Sequence, residues 1–330
     1  MRIVAATPPH TPVLLDRVVE LLAAAPDGTV VDATLGAAGH AAAVTAARYD
    51  RYGRARLVGI DQDPAALELG SERLAALAAD PDVEVVLRHA RFDRLPEVLD
   101  ELGLDEVAGV LLDLGISSMH VDRPERGFSY RSEGPLDMRM NPHAPRTAGD
   151  LVNDLPEREL AHLLHRYADE RFARQIARRI VAARPVSSTT ELAEIVRSAV
   201  PAAARRTGGH PATRTFQALR IAVNDELTAL DAVLPVVLER LMPGGVAVCL
   251  SYHSLEDRRV KRAFAAAARG CICPPGLPVC GCGRTPLVEP LVRRPERPSE
   301  AETTANPRAS AARLRAVRRL PTEPTEQVPS

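Results

Sequence analysis

The chain has 330 residues, 26% of them charged and 45% hydrophobic, which is typical of a globular protein large enough for two domains. Its apolar runs are shorter than the ~20 residues of a membrane span, and the N-terminus lacks the apolar core of a signal peptide, so we expect a cytoplasmic protein. The formal net charge of −1 by itself gives no indication of a nucleic-acid partner.

The near-zero net charge conceals opposite local charges. Residues 1–120 contain ten arginines and nineteen acidic residues, whereas residues 151–220 contain twelve arginines and seven acidic residues. Residues 284–319 are also basic, with nine arginines and four acidic residues. Separated basic segments favour a polyanion-binding surface, with solvated helix faces as the alternative.

The first third of the chain alternates between short apolar runs and helical stretches. Strands are predicted at 29–34, 56–61, 83–87 and 107–113. One helix is predicted after residues 35–40 and extends to about residue 47, and another lies at about 64–79. Strands separated by helices predict a parallel sheet that is covered on both faces.

This alternation is interrupted in the middle of the chain. Residues 120–150 are rich in loop residues, and arginine-rich helices follow to about residue 206. The pattern then returns, with a helix at 215–230, a strand at 244–251 and a helix at 255–268. We therefore predict one nucleotide-binding domain that contains a helical insertion.

A glycine-containing turn follows the first strand, in Val31-Asp-Ala-Thr-Leu-Gly-Ala-Ala-Gly-His40. Gly36 and Gly39 would let the backbone approach a ligand, and the following helix N-terminus offers free N–H groups. Asp61 ends the next strand, where a carboxylate can accept both hydroxyls of a ribose. The pattern favours a nucleoside cofactor over a plain tight turn, but does not separate a dinucleotide from S-adenosylmethionine.

Asp113 ends the fourth strand, within Val110-Leu-Leu-Asp-Leu-Gly-Ile-Ser-Ser118. Ligands of open α/β sheets bind at this carboxyl edge. An acid there can orient a cofactor amine or accept hydrogen bonds from a nucleophilic amino group. A turn or helix cap is the alternative role.

The strand at 244–251 is followed by Tyr252, His253 and a basic run that begins at Arg258. Tyr252 could stack on a base, and the basic run could hold phosphates. The alternative is a helix cap formed by Ser254 and Asp257.

Four cysteines are concentrated in a short segment, at Cys271, Cys273, Cys280 and Cys282. Four thiolates could form a structural zinc site, although the usual pairs are spaced C-x₂₋₄-C. Reduced surface thiols and redox-labile pairs are the alternatives, so no metal ligand is assigned. Cys249 falls in an apolar strand, where packing explains it.

Several motifs, in order from about residue 10 to 315, together resemble the bacterial ribosomal RNA small subunit methyltransferase H (RsmH/MraW) family. They begin with His10-Thr-Pro-Val-Leu-Leu, Asp32-Ala-Thr-Leu-Gly-Ala-Ala-Gly-His, Gly59-Ile-Asp-Gln-Asp-Pro and Leu112-Asp-Leu-Gly-Ile-Ser-Ser. They continue with Arg126-Gly-Phe-Ser, Pro135-Leu-Asp-Met-Arg-Met, Thr215-Phe-Gln-Ala-Leu-Arg-Ile-Ala-Val-Asn, His253-Ser-Leu-Glu-Asp-Arg and Asn306-Pro-Arg.

The resemblance implies an α/β class I S-adenosylmethionine-dependent methyltransferase, with a Rossmann-like, mainly parallel sheet and an inserted all-helical domain. It also implies methylation of the exocyclic N4 of a cytidine in the decoding, P-site region of 16S rRNA. We expect a cofactor-binding domain at 1–119 and 221–292, a helical substrate-recognition domain at 120–220, and a basic, flexible tail at 293–330.

The resemblance also carries site residues over to this chain. The implied S-adenosylmethionine contacts are Ala38, Gly39, His40, Asp61, Phe92, Asp113 and His120. Asp113 is in addition the candidate catalytic residue that orients N4. The candidate contacts to substrate RNA are Arg139, Tyr252, His253 and Arg258. Three positions depart from the family pattern. Ala38 stands where the family commonly has glycine, His120 stands where it commonly has glutamine, and Tyr252 stands where it frequently has phenylalanine.

The expected partner is 16S rRNA within the small ribosomal subunit, and no stable protein partner is inferred. Two other classes remain open at this point. A nucleotide-dependent oxidoreductase on a Rossmann sheet would bind NAD(P), and a non-catalytic RNA-binding protein would keep an inactive cofactor pocket.

Overall fold

The computed structural model describes residues 12–205, 209–273 and 281–321. Within these residues one sheet has seven strands in the order β3-β2-β1-β4-β5-β7-β6. The strands are β1 Thr29–Asp32, β2 Ala55–Asp61, β3 Val83–His89, β4 Val107–Asp113, β5 Leu241–Ser251, β6 Val288–Pro290 and β7 Arg313–Arg319. Strands β1 to β5 are parallel, and β7 is antiparallel to both β5 and β6.

Fourteen helices are present in the same described residues. The first seven are α1 Leu15–Ala23, α2 Gly39–Tyr52, α3 Pro64–Ala78, α4 Leu95–Glu101, α5 Ser118–Val121, α6 Ala148–Asp154 and α7 Glu157–Ala168. The others are α8 Ala173–Ala183, α9 Thr189–Ala199, α10 Ala202–Arg205, α11 Ala212–Asn224, α12 Glu226–Glu239, α13 Ser254–Ala267 and α14 Glu300–Ala305.

Helices cover both faces of the sheet, which confirms the predicted α/β class. Alternate strand residues point to opposite faces, so Val31 and Leu112 pack with α4, α12 and α13. Their neighbours Val30 and Leu111 pack with α1 and α2 on the other face. Burial on both faces explains why β1 and β4 are apolar throughout rather than alternating.

The order of the strands fixes where a ligand can bind. The chain builds β1, β2 and β3 outward in one direction and then returns to place β4 directly beside β1. Helical connections therefore leave the carboxyl ends of β1 and β4 in opposite directions, which opens a crevice between these two ends. Asp32 and Asp113 are the last residues of the two strands.

The described chain divides into two compact units. One extends to Gly115 and resumes at Ala229, and it contains the sheet. The other, Ile116–Thr228, has its own core, in which Leu160, Leu164, Ile176 and Leu219 are buried. The expected insertion at 120–220 lies within this second unit, whose bounds are somewhat wider.

The expectation of a flexible tail at 293–330 is wrong for the described part of that segment. Strand β7 pairs along its length with β5 and separates β5 from β6. Leu314, Ala316 and Val317 of β7 are buried in the sheet, so apolar burial orders a segment that looks polar in composition. Residues 322–330 lie outside the described residues.

The single helix predicted at 215–230 is also wrong. Helix α11 ends at Asn224, and Asp225 has a left-handed φ of 50°, after which α12 begins at Glu226. The Asp225 N–H still donates to the Ile221 carbonyl, so the break is a helix C-cap. The apolar spacing continues across this break, which explains the wrong prediction.

None of the helices in the described segments is both long and apolar enough to cross a membrane.

Candidate functional site

The glycine-containing turn lies where the sequence places it, between β1 and α2. Gly36 and Ala38 have φ values of 51° and 57°, in the left-handed region. Because Ala38 carries a Cβ, this conformation is unusual there and is held by the surrounding turn. A Cβ on Gly39 would clash with Pro12, so close packing against the chain itself requires that glycine.

Asp61 is tied to this turn by its carboxylate. Its Oδ2 accepts the Gly36 N–H at 2.8 Å, and its Oδ1 accepts the Asp63 N–H at 2.9 Å. The side chain is half-buried, and an ionised carboxylate has about four acceptor positions. These two contacts hold the Asp61 carboxylate beside the glycine-containing turn.

Thr34 joins the ends of the two strands that border the crevice. Its hydroxyl accepts the Asp113 N–H at 2.7 Å, and its own N–H donates to Asp32 Oδ1 at 3.1 Å. Burial raises the pKa of Asp32 to about 7, and the negative charges of Asp113 and Asp61 contribute to this rise. Sequence reasoning missed Thr34 and Asp32 as site residues, although their place at the end of β1 is the signal that could have found them.

Asp113 is contacted from two sides. Tyr252 donates its hydroxyl to Asp113 Oδ1 at 2.8 Å, and His40 Nδ1 lies 3.5 Å from Oδ2. His40 Nε2 lies 2.9 Å from the Val13 carbonyl, which can only accept, so Nε2 carries a hydrogen. Both carboxylate oxygens of Asp113 are therefore contacted within the site.

Burial sets the protonation of this group of side chains. Burial raises the pKa of Asp113, while the charge of His40 and the Tyr252 hydrogen bond oppose the rise. Burial and the charge of Asp113 raise the pKa of Tyr252, so its hydroxyl remains a donor. The Asp113 side chain nonetheless keeps 26% of its surface exposed, which leaves acceptor positions open.

His253 is the N-cap of α13, not the predicted Ser254. The Glu256 carboxylate accepts the N–H groups of Tyr252 at 2.8 Å and of His253 at 3.2 Å, and His253 Nδ1 accepts the Glu256 N–H at 3.4 Å. This capping box fixes the backbone that carries the Tyr252 ring, which packs on Gly115. Glu256 is buried, and sequence reasoning missed its role.

The remaining predicted residues do not join this group of contacts. Phe92 is buried in the core beside α4, and Arg258 is exposed on α13. His120 and Arg139 belong to the second unit. There the His120 ring packs on Phe128 with centroids 5.0 Å apart, and Arg139 pairs with both carboxylate oxygens of Asp137. Their assignments to cofactor or RNA stay predictions.

Three of the four clustered cysteines come together. The ligand atoms of Cys271, Cys273 and Cys282 lie within 4.8 Å of one another. Cys280 lies outside the described residues. Cys249 is buried in β5, as predicted from its apolar surroundings.

The sequence profile of the MraW methylase family matches residues 7–320. The chain belongs to this family. A protein of Acidothermus cellulolyticus named ribosomal RNA small subunit methyltransferase H is 53% identical over 317 residues, which cover 94% of each chain. A protein of the same name from Heliobacterium modesticaldum is 50% identical over 315 residues, covering 94% of this chain and 98% of the relative.

A solved rRNA methylase structure from Streptococcus thermophilus covers 93% of this chain and 94% of its own, at 13% identity and a TM-score of 0.38. Membership of a methylase family confirms the resemblance found in the sequence motifs. It also confirms S-adenosylmethionine as the cofactor, whereas the oxidoreductase alternative required NAD(P).

Proposed function

We propose that this chain uses S-adenosylmethionine to methylate small-subunit 16S rRNA, and that its target is the exocyclic N4 of a cytidine in the decoding region. The names of its relatives support the rRNA substrate, and the sequence resemblance supports the base and the region. The structural observation that carries the proposal is Asp113, a carboxylate with open acceptor positions at the end of β4.

The residues present fit the cofactor. Asp61 lies at the end of β2, where a carboxylate can accept ribose hydroxyls, and the backbone at Gly36 and Ala38 turns in the left-handed region before α2 begins. When bound, S-adenosylmethionine supplies an electrophilic methyl group on a sulfonium. We assign Ala38, Gly39, His40 and Asp61 to its amino-acid and ribose parts and Phe92 to its adenine. The family resemblance also implies a cofactor contact at His120.

The weak nucleophilicity of cytosine N4 defines what the protein must do. The lone pair of N4 is delocalised into the ring, and it becomes more available when acceptors hold the N4 hydrogens. Asp113 is such an acceptor, and its raised pKa makes it a stronger proton acceptor than an ordinary carboxylate. Holding N4 in line with the methyl group supplies much of the rate.

Tyr252 and His40 position Asp113 for this role. Each contacts a different carboxylate oxygen, so the carboxyl plane is fixed before the base arrives. The target cytosine has to leave its stack to reach this depth, as in other enzymes that act on a base. The same proposal includes stacking of the base on the Tyr252 ring. It also includes phosphate contacts from Arg139, His253 and Arg258.

The second unit is proposed to bind the RNA. Helix α8 buries Ile176, Ala177 and Ile180 on one side and exposes Arg174 and Arg179 on the other. Exposed arginines on this unit are suited to contacts with phosphate groups. Such contacts fix the position of the protein on the RNA.

The test is methyl transfer from labelled S-adenosylmethionine to small ribosomal subunits from cells without the modification, followed by mass mapping of the rRNA. We expect one N4-methylcytidine in the decoding region.

Asp113→Asn should lower turnover by about 10²-fold or more, because the amide oxygen is a weaker acceptor and cannot take the proton. Asp105→Asn, at an exposed acid of the same unit, is the matched control and should keep full activity.

Two results would contradict the proposal. Methylation at a ring carbon or on another base would show that the target atom is wrong. RNA binding without transfer would mark an inactive cofactor pocket. The same assay on free 16S rRNA tests the expected preference for the assembled subunit, and equal rates on both would refute that preference.

A further inference from the structure

The described residues that follow α13 and those that precede β6 lie against each other. The Leu287 N–H donates to the Ala267 carbonyl at 2.8 Å, and Arg284 Nη2 donates to the Ala266 carbonyl at 2.9 Å. Pro286 also lies against Gly270. The chain therefore leaves α13 and returns to its end before it enters β6.

Three sulfur atoms connect the two arms of this loop. Cys271 and Cys273 lie on the outgoing arm, and Cys282 lies on the returning arm. All three sulfurs are within 4.8 Å of one another, and Cys271 Sγ lies 3.7 Å from Cys282 Sγ. A Zn–S bond of about 2.3 Å in a tetrahedral site places two sulfurs about 3.8 Å apart, whereas a disulfide places them about 2.05 Å apart.

Backbone donors are directed at these sulfurs. The Cys273 N–H donates to Cys271 Sγ at 3.4 Å, and the backbone of Gly281 hydrogen-bonds Cys273. Apolar packing does not explain the cluster, because Cys271 and Cys282 are exposed, whereas free cysteines are usually among the most buried residues.

We propose that Cys271, Cys273 and Cys282 supply three thiolate ligands of a zinc site that joins the two arms of the loop. Binding displaces the thiol protons to solvent and leaves one tetrahedral position for another ligand. The all-sulfur donor set selects a soft or borderline cation such as Zn²⁺ over Mg²⁺ or Ca²⁺.

The site is structural, because it lies at the far end of α13 from the methyl-transfer residues. His253 caps the N-terminus of α13, and the cysteine loop follows its C-terminus. Fourteen residues of α-helix span roughly 20 Å, too far for the metal to touch a base held at Asp113.

The first experiment measures metal content by mass spectrometry on the full chain, purified without chelator. We expect one zinc per chain, and loss of that zinc in Cys271→Ser, Cys273→Ser and Cys282→Ser. Cys249→Ala, at the buried cysteine of β5, is the matched control and should retain the metal. Cobalt added to the metal-free protein should give the visible bands of tetrahedral cobalt thiolate, which tests the ligands even if one variant folds poorly.

The second experiment separates a structural metal from a catalytic one. Chelation should lower the thermal midpoint and expose the loop to protease, while the affinity for S-adenosylmethionine stays within about twofold. The zinc site is refuted if native protein holds no zinc and gains none on titration, or if Cys271 and Cys282 are found in a disulfide. A metal-free protein that binds cofactor normally but no longer transfers methyl groups would refute the structural role. None of these results depends on which base is methylated.

Discussion

At the scale of single residues, the candidate site depends on where one carboxylate places its two oxygens. Asp113 meets Tyr252 at Oδ1 and His40 at Oδ2, while its N–H is accepted by Thr34. The sequence indicated the acid, but only the structure showed that Tyr252 contacts it. Tyr252 is therefore a positioning residue as well as a candidate stacking surface.

Tyr252→Phe keeps the ring and removes the hydroxyl donor. We expect turnover to fall about tenfold, the value of one hydrogen bond to a charged group. The Tyr252 hydrogen bond opposes the rise in the pKa of Asp113, so its loss should move the acid limb of the pH–rate profile to higher pH. A merely structural role for Tyr252 would leave the position of that limb unchanged.

Asp32 should make the folded protein less stable as the pH rises. Its pKa is about 7 in the folded protein against an ordinary value of 3.8, so the folded state holds the extra proton between these pH values. This contribution to the free energy of unfolding therefore decreases from about pH 4 to pH 7. Asp32→Asn, compared with wild type by urea unfolding at pH 5 and pH 8, should gain stability mainly at pH 8. An equal effect at both pH values would contradict the assignment.

At the scale of elements, β7 is the strand that composition did not reveal. Its arginines obscure an alternating pattern, because Leu314, Ala316 and Val317 face the core while charged neighbours pair locally. Arg313 and Arg315 both bind Asp257, and Arg318 pairs with Glu289. These arginines are thus engaged within the protein, which corrects the expectation that the basic tail as a whole is available to RNA.

Leu314→Ala should measure how much the packing of β7 contributes to the free energy of unfolding. Leu314 is fully buried between neighbouring strands and α1, so its truncation should cost about 2–5 kcal/mol of unfolding free energy. Arg318→Ala, at the exposed end of the same strand, should cost less than about 1 kcal/mol. Similar costs for both in urea unfolding would mean that β7 is not packed as described.

At the scale of the whole molecule, charge is divided between the two units. The acidic excess lies in the sheet-containing residues 1–120, whereas residues 151–220 of the other unit are basic. The net charge of −1 sums these opposite parts and the other residues, among them the basic segment 284–319 of the first unit, so it carries no information about an RNA partner.

A triple variant with alanine at Arg171, Arg174 and Arg179 should bind RNA more weakly. Its RNA affinity should also depend less steeply on salt concentration. All three are exposed in the second unit, and each lost phosphate contact should reduce the slope of log K against log salt by about 0.7–0.9. The matched control replaces Arg51, Arg54 and Arg94, three exposed arginines of the first unit. If both triple variants give the same slope, the charge of the second unit has no special role in binding.

The sequence by itself determined the parallel sheet, the interruption by helices and the family, because apolar runs buried on both faces and ordered motifs are local properties of the chain. It also placed Asp61 and Asp113 at strand ends. It could not show that Asp225 divides the apolar pattern into two helices, because the apolar spacing continues across the break. It also could not show that β7 returns to pair with β5, because the two strands are far apart in the chain.

Only the tertiary structure joined Thr34 to Asp113, and Tyr252 to the same carboxylate 139 positions before it. The reason is physical. Burial makes these polar groups find partners, and strand order alone decides which partners are within reach. The charge separation, by contrast, is already visible along the sequence, and folding places residues 1–115 and 151–220 in different units.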